Sequence, residues 1–214
     1  MPHFYVTEIF FPGLAAVAII IYHLHYYFLV KQVPMQTAVG ITRYLRGLWV
    51  ETVMEQKRDI LAVQTLRNWV MASSFLASTA IIISLGILGY IFQHKTISEL
   101  PFSFDRIVSN IENIDILKIL VLFMIFAFAF FNFALSIRYY NHVNFMINVP
   151  LDRDQMVNVE YVTQTLNLGM IHYTLGMRGY YLSGPFFLWL FGPAWMFLGS
   201  ILVLIVLYNI DRTA

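Results

Sequence analysis

Residues 116–137 read ILKILVLFMIFAFAFFNFALSI. One charge, Lys118, sits near the start of this run, and as a helix rising 1.5 Å per residue the run is about 33 Å long. That matches the roughly 30 Å hydrocarbon thickness of a bilayer, which takes about 20 apolar residues to cross. Backbone groups in lipid must bond internally, and a continuous run of this length suits a helix far better than the short alternating strands of a membrane barrel.

Working outward, three further stretches pass the same test: Ile9 to Val30, Trp69 to Phe92, and Phe186 to Ile210. The expected fold is therefore all-α, a single membrane domain over residues 1–214 with about four transmembrane helices. Composition agrees. Hydrophobic residues make up 59% of the 214 and charged residues 12%, about half the charged share of soluble domains. The apolar surplus must face something other than water, and lipid is the natural partner. The start, Met1 to Glu8, lacks the Lys/Arg-rich beginning of a signal peptide, so the first run reads as a retained span.

The connections are unequal in charge. The first carries Lys31, Arg43, Arg46, Lys57, Arg58 and Arg67, and the third carries Arg138, Arg153 and Arg178. The other side holds Lys95, Arg106, Lys118 and Arg212. The positive-inside tendency then makes connections one and three cytoplasmic and puts both termini outside, with a bacterial inner (plasma) membrane as the expected location. Two cytoplasmic helices are expected in those connections. One runs over about 35–68, with Pro34 in a first-turn position and Val39, Leu45, Leu48, Trp49, Thr52, Val53 and Ile60 near one stripe. The second runs over about 155–175, after the turn at Asn148-Val149-Pro150.

Inside the spans, Ser73, Ala77, Ala80 and Ser84 recur at helical spacing, with Ser74 and Ser78 adjoining, and Asn132 and Ser136 form the polar face of the third span. Small residues so placed let helix backbones approach and bond; a packing face is the favoured reading and a polar pore lining the alternative. Gly184-Pro185 and Gly192-Pro193 each remove a helical hydrogen bond and suggest kinks in the fourth span. His23, His25 and His142 are the candidates for metal or haem ligation. His23 and His25 point about 200° apart on a helix and cannot chelate one ion together, so hydrogen-bonded histidines are favoured and no cofactor is expected, haem being the alternative. Arg67, Arg138 and Arg178 fall near the cytoplasmic ends of spans two, three and four. Convergence on an anion or lipid phosphate is one reading, and separate anchors or structural ion pairs the other.

Net charge of +1 gives no case for nucleic acid, which needs a concentrated basic surface. The absence of cysteine removes thiolate chemistry. No catalytic motif, phosphate loop or dinucleotide fingerprint is present, so enzymatic function has no support. The leading expectation is a channel- or transporter-like homo-oligomer for a small solute or anion. The rivals are a non-catalytic accessory or scaffold subunit of a larger membrane complex, and a haem-binding or lipid-modifying membrane enzyme.

Arg46-Gly47-Leu48-Trp49-Val50, the stretch from Ile60 through Gln64-Thr65-Leu66-Arg67-Asn68, Leu135-Ser136-Ile137-Arg138, Asn144, Ile147-Asn148, Trp189-Leu190-Phe191-Gly192-Pro193 and Leu207-Tyr208-Asn209 before Asp211 together resemble the domain-of-unknown-function family numbered five-nine-nine, found in bacteria and plants. The resemblance covers most of the chain from about residue 40 onward. It implies a multi-span membrane protein and carries no activity, substrate or catalytic residue with it.

Overall fold

The computed structural model describes residues 2–94, 111–150 and 157–212. They form α1 (Pro2–Gln32), a 3-10 turn (Pro34–Gln36), α2 (Ala38–Glu55), α3 (Asp59–His94), α4 (Ile111–Met146), α5 (Val159–Leu188), a second 3-10 turn (Trp189–Phe191) and α6 (Pro193–Asp211). Four of these helices are long and apolar enough to cross a membrane: α1 over Phe10–Gln32, α3 over Asp59–Gln93, α4 over Ile114–Met146 and α6 over Pro193–Asp211. The fold is all-helical, and these four helices make the chain a membrane protein in contact with lipid.

The centre of the bundle is the trio α3, α4 and α5. Trp69 packs on Tyr140 with ring centroids 5.7 Å apart, and the Ser84 hydroxyl donates to the Phe123 carbonyl at 3.3 Å, so α3 and α4 are antiparallel. The Tyr140 hydroxyl reaches Met170 Sδ at 2.8 Å and Phe126 meets Tyr180, so α4 and α5 are antiparallel too. Glycines on α5 allow the close approach. A Cβ at Gly169 would lie 2.8 Å from the Tyr140 ring and one at Gly176 2.8 Å from the Phe133 ring, while at Gly179 it would meet the Ala129 Cβ at 3.2 Å. Without hydrophobic driving force in lipid, such backbone proximity is what holds helices together.

Helix α5 corrects the expected layout. It does not stop near residue 175 but runs 30 residues, about 45 Å, from its Asn158 cap, whose side chain accepts from the Tyr161 amide at 2.8 Å. The single span expected over Phe186–Ile210 is divided. Pro185 stays inside α5, whereas Gly192 adopts φ +142°, open to glycine alone, and Pro193 starts α6. The second Gly-Pro is therefore a chain reversal: Gly199 packs back against Leu188 and Pro185.

That reversal moves the C-terminal end. Phe11 packs on Phe197, Tyr22 bonds Asp211, and Thr37 pairs with Arg212 in an isolated bridge, so α6 runs parallel to α1. The described ends of the chain thus lie at opposite ends of the bundle. Helix α1 is peripheral: Val17, Ile20, Ile21, Leu24 and Phe28 are exposed, and it is held through α6.

The expected 35–68 helix is two helices. Thr37 caps α2, accepting from the Gly40 amide at 3.1 Å and donating to the Pro34 carbonyl at 2.8 Å, a pairing typical of a helix start. A Cβ at Gly40 would run into the Pro34 carbonyl. Lys57 takes φ +51°, and α3 begins at Asp59. The buried side of α2 is Gly40, Val50, Val53 and Met54, while Leu45, Leu48 and Ile60 of the expected stripe are exposed. Val50, Val53 and Met54 join Leu66, Tyr140, Val143, Val162 and Leu166 in a core at this end of the bundle. Arg46 crosses to α5, its Nε donating to Asn167 Oδ1 at 2.9 Å, and desolvation pushes the Arg46 pKa down.

Candidate functional site

Arg178 is the charged group that α5 carries into the bundle. Its Nη2 donates to both carboxylate oxygens of Asp211, at 2.8 and 2.7 Å, and the two side chains are only 11% and 9% exposed. Asp211 is the last residue of α6, where the helix dipole disfavours an anion. Its compensation comes from Arg178 and from Tyr22 of α1, whose hydroxyl donates to Oδ2 at 2.6 Å. Both are charge-assisted bonds, stronger than neutral ones. The Tyr26 ring lies 4.9 Å from the Arg178 guanidinium carbon, adding a cation-π contact.

His23 completes the cluster in a defined tautomer. Its Nδ1 is 2.8 Å from the Ile19 carbonyl and its Nε2 is 3.2 Å from Arg178 Nη1. A carbonyl only accepts and a guanidinium only donates, so the hydrogen is on Nδ1 and the neutral ring accepts at Nε2. Three helices, α1, α5 and α6, thus meet in one network.

The depth of this network follows from register. Gly179 faces Ala129, so Arg178 is level with a point on α4 about nine residues from Arg138, or about 13 Å along the axis. Lys118 lies about 16 Å the other way by the same measure. Arg67 and Arg138 are exposed and make no ion pair among the described residues, whereas Arg178 is buried against Asp211. The three arginines do not meet at one depth, because α5 continues through the bundle where the sequence suggested a connection.

The other predicted residues are scattered. Ser73 and Ser136 are both buried at matching levels of the α3–α4 seam, Ser74 bonds the Val70 carbonyl of its own helix at 2.8 Å, and Ser78 is exposed. Asn132 donates to the Phe128 carbonyl at 2.9 Å, while its Oδ1 is 3.0 Å from His172 Nδ1, whose ring stacks on Tyr139. His25 and His142 are exposed, and among the described residues no three histidine or acidic side chains gather as a metal site. A second buried pair marks the far end of the bundle: Lys118 Nζ lies 3.3 Å from Glu8 and 3.1 Å from Asp115.

A groove of about 530 Å³ leads to the Arg178 network between α1, α4 and α5. Leu120, Met124 and Phe128 form one wall, Leu175 and Leu182 another, and His23 and Arg178 are its polar groups. The volume is in the range of small-molecule sites.

Sequence reasoning singled out Arg178 but not Asp211 or Tyr22 as its partners. The signal was present. An ionisable residue within an apolar run, as Asp211 is, faces the bundle interior and pairs there.

Comparison with curated proteins and with solved structures finds no match. The family described as a protein of unknown function, DUF599, matches residues 11–214, which takes in the whole charge network and groove, and the chain belongs to that family.

Proposed function

We propose that the protein is a transporter-like membrane protein of five crossings, whose working centre is the Arg178–Asp211 pair reached sideways from the bilayer through the groove. The fifth crossing is α5. It is antiparallel to both α4 and α6, and it is long enough at about 45 Å. Its polar residues are turned toward partners: Arg178 to Asp211 and His172 to Asn132. Arg212 then joins the basic end that carries α2, which strengthens the positive-inside bias and makes that end cytoplasmic.

The observation that carries the reading is the burial of the charge pair where α1, α5 and α6 meet beside the groove. About 16 Å of bundle separates Arg178 from Lys118, while Asp211 ends the α6 span and Arg212 follows it exposed, so the pair lies inside the bundle toward the end that carries α2. Charges there are expensive and mark substrate or ion pathways. A carrier fits better than an open pore. Ser73 and Ser84 are fully buried in the α3–α4 seam, so that face lines no lumen. Tyr44, Leu45 and Leu48, exposed on α2, favour as a second reading a docking surface for another subunit.

The test is retention of a small molecule. Protein extracted from native membranes in mild detergent is expected to hold on the order of one non-protein molecule per chain, given a single apolar site with a polar anchor. Leu182→Trp, which fills the groove without touching the ion pair, is expected to lose it while staying monodisperse. A wild-type protein free of bound small molecules, or a Leu182→Trp protein that keeps its own, contradicts the reading.

A further inference from the structure

The donors and charges around Arg178 narrow what the groove accepts, and the narrowing rests on the reading just given. A guanidinium has five N–H donors. One, on Nη2, is shared between the two oxygens of Asp211 and one, on Nη1, goes to His23. The second Nη1 hydrogen and the Nε hydrogen have no acceptor among the described residues, and Arg178 lines the groove. The occupant must therefore bring acceptor oxygen.

Charge decides which kind. Arg178 is neutralised by Asp211, His23 is fixed as a neutral imidazole by its two contacts, and Tyr22 is donating its phenol hydrogen. The network carries no net charge. A carboxylate or phosphate would add an unbalanced negative charge inside an apolar site, which is costly, whereas a carbonyl satisfies the spare donors with none. The remaining walls are aliphatic and aromatic, so the body of the ligand is apolar. Asp211 ends the α6 span, so the ester carbonyls of the surrounding phospholipid are the acceptors with which the occupant competes.

We infer that the groove binds a neutral, quinone-type lipophile: an apolar molecule dissolved in the bilayer whose ring carbonyl accepts from Arg178 Nε and Nη1 while its tail lies along Leu120, Met124 and Phe128. No electron or proton transfer is part of the inference. The site recognises a carbonyl, and His23 and Asp211 hold the guanidinium at the groove, with Tyr22 fixing Asp211.

The test compares two probes on the full-length protein in nanodiscs: a decyl-substituted benzoquinone and palmitate at a pH where the acid is ionised. The quinone is expected to raise the melting temperature saturably and to bind at least about tenfold more tightly than palmitate, the difference expected for a desolvated charge. Leu182→Trp is expected to abolish the quinone shift, and Arg178→Lys, which keeps the charge but loses the planar pair of donors, to weaken it about tenfold or more. Equal or tighter binding of palmitate overturns the inference while leaving a lateral site in place. A failure of both probes to shift wild type, or a quinone shift that survives Leu182→Trp, overturns the inference and the lateral site together.

Discussion

Arg178→Gln, and separately Asp211→Asn, are each expected to cost about 3–5 kcal/mol of stability, and the double variant to recover most of that loss. The asymmetry comes from what each single change leaves behind. With Arg178 gone, Asp211 is a carboxylate at a helix C-terminus, 9% exposed, with Tyr22 as its remaining donor. With Asp211 gone, a guanidinium is left in apolar surroundings with His23 and the Tyr26 ring alone. The double variant removes both charges, and two amides of similar shape bond each other at little cost. Tyr22→Phe removes one charge-assisted bond and is expected to cost about 1.5–3 kcal/mol. Melting temperatures in detergent, read by size-exclusion of heated samples, check the set through the coupling of the double variant. Additive losses would mean that the two side chains do not meet.

Gly176→Leu is expected to be the most damaging change remote from the network. Phe133 fills the space where the new side chain would go, is fully buried, and is boxed by Tyr173 and Tyr180 with centroids 5.8 and 5.7 Å away. It has nowhere to rotate, so α4 and α5 must separate, and the cost is expected to reach or exceed the roughly 1–3 kcal/mol of an overpacked core. Gly86→Ala is the control: nothing lies within 4 Å of a Cβ there, and relief of backbone freedom is expected to leave stability unchanged or raise it by roughly 0.4–1 kcal/mol. Phe133→Leu combined with Gly176→Leu is expected to restore part of the loss. Both readouts are the yield and melting temperature of monodisperse protein. Equal behaviour of the Gly176 and Gly86 variants would contradict the packing of α5 on α4.

Four apolar helices were legible because each is a run in which lipid-facing and core-facing residues are alike hydrophobic, so length alone declares them. Helix α5 was not, for a physical reason. Its partners are polar and its interface is glycine, so Glu160, Asn167, Gly169, His172, Gly176, Arg178 and Gly179 dilute the run below what a bare span requires. Burial against α3, α4 and α6 supplies what lipid affinity lacks. With the five crossings proposed above, parity changes: the C-terminal end moves to the other side and Arg178 from a connection into a helix. Gly192-Pro193 was read as a kink although proline at a first helical position after a glycine is equally a start signal, and the structure takes it that way. The break at Lys57 left no trace, since a lysine seldom adopts positive φ. The histidines were correctly separated by helix geometry, yet only the fold places His23 beside an arginine.

A crossing by α5 that carries Arg178 through the membrane makes the number of crossings odd. The chain has no cysteine, so single introduced cysteines report without background. Glu55→Cys on α2 and Arg212→Cys at the end of α6, both exposed, are to be labelled with a membrane-impermeant maleimide in right-side-out and inverted vesicles. Both are expected to react in inverted vesicles alone, from one and the same side. Labelling of Arg212→Cys from the side opposite to Glu55→Cys would contradict the crossing, leaving α5 outside the bilayer and Arg178 an ordinary surface charge.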